Sequence, residues 1–531
     1  MPLWVNKPVD EATGPYPRRW WALAVLCLSL LVAVMANTAL TVAAPDMTTD
    51  LGLSSSDLQW VIDGYTVPYA ALMLLFGAIG DKYSRRGALV LGLLVFGGGS
   101  IAGSLVDSAE GVIAARAVMG VGAAMIMPAT LSLLTATFPR EERAKAIIMW
   151  NGTAGIAIAA GPLIAGVLLQ DNGWASTFLI NIPVVLLTIV GAFLLIPPSK
   201  AVDRDRVDYV GGLLSVLWIG ALVYMIIQGP HFGWDAKAIT AAVVAGVGCA
   251  LFVLWELRHP RPVLDVRKFG RRRFAGANLA VALFFVAVFG AFYFLTQHLQ
   301  FVLGYTPLET GVRMLPLAGA VFVGSALTGV LTPRLGMKVT VMAGMLGGTV
   351  AMLLLARVDA GSTYGDLALP LAILGLAIGL SVSPCTDVIM GSFPESELGV
   401  GGAVNDTSLE LGGSLGIAIL GSVLADSYSS HLEDAVAPGL PPAALSAAQD
   451  SVGAGLVVAQ KVGEQAGPEQ GRAMLDAVHG AFSDAVAHTS LVGAVILAVG
   501  TVVVAILLPR RTPVSPTERP APERDLAHTD R

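Results

Sequence analysis

Apolar runs of about twenty residues, separated by short polar turns, recur from Trp20 to Leu508. Each run has the length an α-helix needs to cross about 30 Å of hydrocarbon. Lipid offers no partner to backbone N–H and C=O groups, so every run is expected to be a helix and the fold all-α and integral to a membrane. The pattern predicts fourteen spans, near residues 20–44, 60–80, 88–106, 112–135, 145–169, 176–197, 208–228, 236–257, 275–296, 311–333, 338–356, 366–390, 400–425 and 488–508. The stretch from Asp426 to Val486 is too polar to span. Its Ala-rich parts, Pro442 to Asp450 and Glu469 to Val478, are compatible with a short helical hairpin and equally with a flexible loop.

Composition agrees with this pattern. Of 531 residues, 55% are hydrophobic and 13% charged; mean hydropathy is +0.72. Soluble chains carry about 25% charged residues. The net charge of −6 matters less than its distribution. One set of loops holds Lys82, Arg85, Arg86, Arg140, Arg143, Lys145, Lys200, Arg204, Arg206, Arg258, Arg261, Arg267, Lys268, Arg271, Arg272, Arg273, Arg334 and Lys338, and both termini join it through Arg18, Arg19, Arg510 and Arg511. The other set is poor in base: 46–59 carries Asp46, Asp50 and Asp57 without Lys or Arg, and 426–487 has eight acids against Lys461 and Arg472. Basic loops stay inside, which predicts a multi-pass protein of the cell membrane with both termini cytoplasmic. Strict alternation needs an even number of spans. Fourteen fits, and twelve would require two to be absent, spans seven and eight first.

Other classes are excluded or unsupported. No basic face with interleaved aromatics suggests nucleic acid. Cys27, Cys249 and Cys385 fall inside apolar spans with no metal or disulfide spacing, and the seven histidines, His298 among them, form no metal pattern. No phosphate-binding loop or nucleophile motif points to ATP-driven transport or an enzyme, and no cofactor is implied. Without a small-residue cleavage site, span 1 is expected to be retained. The Pro- and charge-rich end from Pro513 is expected to be disordered.

An internal echo divides the chain. Gly77-Ala-Ile-Gly-Asp81-Lys82-Tyr-Ser84-Arg85-Arg86 follows span 2, and Gly329-Val-Leu-Thr-Pro333-Arg334-Leu-Gly336-Met-Lys338 follows span 10. Gly and basic residues recur at matching offsets. The repeat implies two six-helix bundles, 20–197 and 275–508, with spans seven and eight (208–257) inserted between them. The polar segment 426–487 is then extracellular, 1–19 a cytoplasmic start and 509–531 a cytoplasmic tail.

Three more stretches carry chemistry: Arg116-Ala-Val-Met-Gly120-Val-Gly122-Ala-Ala in span 4, Gly155 through Gly161-Pro162-Leu-Ile-Ala165-Gly166 in span 5, and Val404-Asn405-Asp406-Thr-Ser-Leu-Glu410-Leu-Gly412-Gly413 in span 13. With the Gly77–Arg86 loop, they make the chain resemble the major facilitator superfamily from about Trp20 to Leu508. More closely, it resembles the fourteen-span drug:proton antiporters, which include bacterial quaternary-ammonium efflux pumps.

Each motif has a physical reading beside the resemblance. Gly77 allows close helix approach, and Asp81 can cap a neighbouring helix and pair with Arg85 or Arg86, forming a latch on one of two rocking states. The bland alternative is a solvated, topology-setting loop. Ser84 departs from the family's Gly. Arg116 inside a span costs at least ~2.5 kcal/mol unless partnered or wet. The resemblance implies a role in proton coupling; the alternative is an outer-end arginine that snorkels. Met119 replaces the family's Gln. The Gly155, Gly161, Pro162, Gly166 stretch permits tight packing and bending. By resemblance it marks exporters and seals against leak, although Ala165 replaces one Gly. Asp406 and Glu410, at i, i+4, share a helix face. Two acids in a low-dielectric setting suit a proton carrier near neutral pH and attract cations.

Asp63, in Trp60-Val-Ile-Asp63-Gly-Tyr65, matches an acid of the quaternary-ammonium pumps. It is either a functional intramembrane acid or a water-exposed carboxylate at the outer end. Trp60, Tyr65 and Tyr69 offer aromatic surface to a cation or simply pack the wall. Phe284, Phe285, Phe289, Phe292 and Tyr293 on span 9 have helical spacing, read as packing first and as cavity lining second. The family's span 1 acid is missing: the stretch is Ala36-Asn37-Thr38-Ala-Leu-Thr-Val-Ala43-Ala44-Pro45. Asn37 cannot titrate, yet it can hydrogen-bond a substrate. Asp387 is read as solvated, and Glu309 with Arg313 as a simple pair.

The expectation is a monomeric, proton-driven exporter of lipophilic, often cationic drugs or antibiotics by alternating access. The alternative cargo is an endogenous secondary metabolite or lipid. A non-transporting receptor would leave the intramembrane acids without purpose.

Overall fold

A computed structural model describes residues 15–53, 55–169, 172–200, 207–232, 235–436 and 440–509. Residues 1–14 of the expected start (1–19), 510–531 of the expected tail (509–531), and Arg204 and Arg206 lie outside them. Among the described residues, seventeen α-helices run in chain order: α1 (Arg19–Leu51), α2 (Ser55–Tyr83), α3 (Arg85–Leu105), α4 (Ala109–Thr137), α5 (Arg140–Leu168), α6 (Ser176–Leu179), α7 (Asn181–Leu195), α8 (Tyr209–Phe232), α9 (Ala236–Arg258), α10 (Arg272–Gln297), α11 (Pro307–Leu335), α12 (Met337–Leu355), α13 (Tyr364–Gly391), α14 (Leu398–Ala435), α15 (Pro442–Gln449), α16 (Val452–Ala466) and α17 (Pro468–Leu507). Among the described residues, thirteen helical stretches are long and apolar enough to cross a membrane, including α8 and α9, the two first in question. The remaining predicted span is α5. Its charged residues Arg140, Glu141, Glu142, Arg143 and Lys145 are confined to the first turns, and 146–168 carry no Asp, Glu, Lys or Arg. It packs between α1 and α11.

α1 to α7 pack among themselves, with α4 against α2 and α3 and α5 against α1. α10 to α14 and α17 form a second set, with α11 and α12 against α13 and α10 against α14. Two seams join the sets: α5 on α11, and α14 on α2 and α4. α8 lies on α2 and α14, while α9 leans on α8. Leu213, Leu217, Val243, Val247 and Leu251 of this pair are exposed, as lipid-facing side chains are.

The polar segment corrects one expectation. It is neither a loop nor a single hairpin of the two Ala-rich stretches. α14 continues to Ala435, α17 starts at Pro468, and α16 sits between them. Tyr428 and Leu432 of α14 are buried there, the Tyr428 hydroxyl donating to Ala448 O at 3.1 Å. Gly463 and Gly471 bring α16 against α17. α15 and α16, of 8 and 15 residues, are too short for a search for twenty apolar residues to find.

Candidate functional site

The end of the bundle where α2 meets α3 is closed by one carboxylate. Asp81, fully buried, accepts from Arg85 Nε at 2.8 Å. It also accepts the Gly399 N–H at 2.9 and 2.8 Å on its two oxygens, and the Val400 N–H at 3.2 Å. Those are the first amides of α14, which have no intrahelical partner, so Asp81 caps a helix of the opposite half. Arg85 adds Ser199 Oγ at 3.1 Å and the Glu395 carbonyl. Of the two arginines proposed as partners, Arg85 takes the role. Arg86 instead donates to Ile196 O and lies over the Phe193 ring. Gly77 makes the approach possible: a Cβ there would sit 2.4 Å from Gly399 O. Ser84 fills the family's Gly position as the N-cap of α3, accepting from Gly87 N at 2.9 Å with extended backbone.

Arg116 is fully buried and does not snorkel. The α2–α4 crossing is tight because Gly64 faces Ile113 O and Gly120 faces Tyr65 O, where a Cβ would meet backbone at 3.2 and 2.3 Å. The guanidinium therefore reaches the α2 backbone. Nε donates to Val61 O at 3.1 Å, Nη2 donates to Asn37 Oδ1 at 2.8 Å, and the plane lies 4.4 Å from the Tyr65 ring centroid. Hydrogen bonds to a charged group contribute about 1.5–3 kcal/mol each and offset part of the cost of burial, while Nη1 has no hydrogen-bond partner among the described residues. Asn37 is thus bound to Arg116. Tyr65, buried, faces Arg116 and donates its hydroxyl to Ala33 O at 3.0 Å. Asp63, 9% exposed, lies within electrostatic reach of Arg116.

The span 5 glycines build a seam in two directions. Gly161 faces α1, where a Cβ would lie 2.0 Å from Thr38 Oγ1 and 2.9 Å from Ala39 N. Gly155 and Gly166 face α11 across the halves, at Val321 and Leu308. Pro162 lies in α5; its side chain is outside the described part.

Asp406 and Glu410 stand one turn apart on α14, where it faces α2 and α4. Asp406 is 1% exposed and Glu410 half-buried. Asp406 Oδ1 accepts from Asn405 Nδ2 at 3.0 Å, and Oδ2 has no hydrogen-bond partner among the described residues. Neither acid forms an ion pair among them. Tyr69, buried on α2, lies within Coulomb reach of both.

The aromatic candidates divide. Phe289 packs on Gly413 and Phe285, close to the acids. Tyr293, 38% exposed, sits farther along α14 beside Gly421. Trp60 packs on Tyr224 of α8, ring centroids 5.7 Å apart and planes tilted by 41°. Asp387 is exposed, as expected. Glu309 and Arg313 do not pair through the carboxylate. Glu309 closes a capping box with Thr306, and Arg313 lies over Tyr305 and Tyr364. Glu395 and Glu397 were not anticipated as site residues. Their signal is two acids placed just before a helix start.

Comparison with known proteins follows the same lines. Residues 26–417 match the Major Facilitator Superfamily. The multidrug efflux pump LfrA of Mycolicibacterium smegmatis is 31% identical over 494 residues, 93% of this chain and 97% of its own. The puromycin resistance protein pur8 of Streptomyces alboniger is 34% identical over 82% of this chain and 88% of its own. The methyl viologen resistance protein SmvA of Salmonella typhimurium is 33% identical over 88% and 93%. Among solved structures, the human organic anion transporter MFSD10 superposes with a TM-score of 0.58 at 13% identity, covering 92% of this chain and 100% of that one. This last likeness concerns the fold.

Proposed function

Because the chain belongs to the Major Facilitator Superfamily, we propose that it exports lipophilic, often cationic drugs or antibiotics in exchange for protons. The family makes it a multi-pass membrane transporter rather than an enzyme. The names of its relatives, two of them resistance proteins and one a multidrug efflux pump, support this cargo class.

The observation that carries the reading is the Asp406–Glu410 pair. A buried carboxylate without a counter-ion is stable only when a proton or a cation neutralises it. The two ligands then compete for one site, which is the requirement for exchange. Arg116, the buried cation nearby on α4, spends Nε and Nη2 on Val61 and Asn37 and forms no ion pair with either acid among the described residues. Asp63 stands on the Arg116 side and is assigned to coupling.

In this mechanism the Asp81 end faces the cytoplasm, because Lys82, Arg85, Arg143, Lys145, Lys268 and Arg334 gather there, and both termini lie on that side. The capped α14 start holds this end shut. Protons reaching Asp406 and Glu410 from outside displace the substrate, and rocking of the two halves then opens the cytoplasmic end. A charge crossing 100 mV gains about 2.3 kcal/mol. A single chain supplies both halves, so a monomer suffices.

The test is uptake of a fluorescent lipophilic cation into proteoliposomes under an imposed pH gradient. Asp406→Asn and Glu410→Gln should each lose at least tenfold in rate, and Asp63→Asn should lose pH-gradient dependence. Wild-type rates in all three variants would sink the reading.

A further inference from the structure

The inserted helices touch both halves at the latched end, and they do so through polar contacts. The first residue of α8, Tyr209, meets the last residue of α2, Tyr83, hydroxyl to hydroxyl at 3.0 Å. The α8–α9 hairpin is stitched at this end by Asp208. Its carboxylate accepts from Gly211 N at 2.9 Å and from Trp255 Nε1 at 2.9 Å, and His259 Nδ1 lies 3.5 Å away. The connection from α9 to α10 is equally fixed. Leu264 N donates to Glu256 Oε2 at 3.2 Å, and Arg267 Nη2 donates to Leu257 O at 2.7 Å. Val263 and Leu264 are buried beneath it.

This rigid connection delivers Lys268, 8% exposed, to the start of α14. Its ammonium donates to Glu397 Oε2 at 3.0 Å and sits 3.9 Å from the Phe393 ring centroid. Phe393 in turn packs on Gly401 of α14. Glu397 is the N-cap residue of α14, two positions before Gly399, the first residue whose amide Asp81 caps. From the opposite side, Arg143 of α5 reaches Glu395 Oε1 at 3.9 Å. The short run from Phe393 to Val400 is thus gripped by α2 and α3, by α5 and by the insert.

We propose that Lys268 is a positioning residue: through Glu397 it holds the α14 start where Asp81 can cap it, and so makes the inserted pair α8–α9 a third clasp of the cytoplasmic latch. The proposal rests on the latch reading given above. Opening that end moves α2 away from α14. The strap then either breaks at Tyr83–Tyr209 or pulls on Lys268–Glu397. The insert is therefore a mechanical part of the alternation and not a passive spacer.

The test is a distance measurement by electron–electron double resonance on full-length protein in proteoliposomes. Spin labels go on Ala144→Cys and Gly391→Cys, exposed positions on either side of the latched end, with the three native cysteines replaced by alanine. Lys268→Met and Glu397→Gln should each raise the open-to-closed ratio about fivefold, the effect of one half-buried ion pair. Lys268→Arg should keep the wild-type ratio. The exchanged pair, Lys268→Glu with Glu397→Lys, should return to within about twofold of wild type, which a packing defect at either position would not do. Asp81→Ala serves as the reference for the latch itself. If it opens the end while Lys268→Met and Glu397→Gln do not, the clasp is wrong and the latch stands. If the exchanged pair stays open, the ion pair is not the cause and the proposal falls. If Asp81→Ala leaves the ratio unchanged, the latch fails and the clasp with it.

Discussion

Asp81 and Gly399 belong to opposite halves of the bundle, 318 positions apart, and the carboxylate of the first takes the backbone N–H of the second on both its oxygens, at 2.9 and 2.8 Å. One side chain closes both a helix terminus and an ion pair with Arg85. Asp81→Ala leaves Arg85 buried without its carboxylate and α14 without its cap. Breaking a buried pair costs about 3 kcal/mol or more. Asp81→Asn keeps one oxygen for Gly399 N–H and should fall between the two. The order wild type, Asp81→Asn, Asp81→Ala is expected in thermal unfolding of the purified protein.

Two glycines should reject a single methyl group. A Cβ at Gly77 would meet Gly399 O at 2.4 Å, and one at Gly161 would meet backbone at 2.9 Å as well as Thr38 Oγ1. Overpacking of this kind costs about 1–3 kcal/mol. Gly77→Ala and Gly161→Ala should each lose most transport activity. Gly98→Ala, with nothing within 4 Å, should keep it. Parallel uptake assays at matched protein levels check all three.

Arg116 should not tolerate lysine. An ammonium cannot serve Val61 O, Asn37 Oδ1 and the Tyr65 face together. Arg116→Lys is expected to lower transport at least tenfold, and Asn37→Ala by less, since Val61 and Tyr65 remain. Equal losses in the two variants would mean that the Asn37 bond alone carries the arrangement.

A pH effect is expected outside the membrane. Arg19 donates to Glu142 at 2.6 and 2.9 Å, and these bonds hold the Glu142 carboxyl below its usual value. A lowered carboxyl contributes stability above its unfolded value and loses it as pH falls through the folded one. Wild type should therefore exceed Glu142→Gln slightly in thermal midpoint at pH 7. The two curves should converge under acid conditions, as measured by melting across pH.

The sequence made some of this visible and hid the rest for physical reasons. Spans were readable because lipid demands long apolar helices, and Asp406 and Glu410 stood out because acids are costly there. That Asp81 could cap a helix followed from its type. Which helix it caps did not, because the partner lies in the other half. Arg116 could be flagged inside a span, whereas its bond to Asn37, 79 positions away, depends on how Gly64 and Gly120 let α2 and α4 approach. The helices after Asp426 stayed ambiguous because their burial rests on contacts such as Tyr428 with Ala448. Lys268 read as one more topology-setting base, since nothing local distinguishes an ion-paired lysine from a solvated one.

The central claim, that substrate and protons compete for the Asp406–Glu410 pair, is tested most directly by counting protons at the moment of binding. Calorimetric titration of the purified protein with a lipophilic cation, in buffers of different ionisation enthalpy near neutral pH, gives that number. About one proton or more should be released per cation by the wild type, and none by the Asp406→Asn, Glu410→Gln double variant. Binding of the cation without proton release in the wild type, or with undiminished release in the double variant, would contradict it.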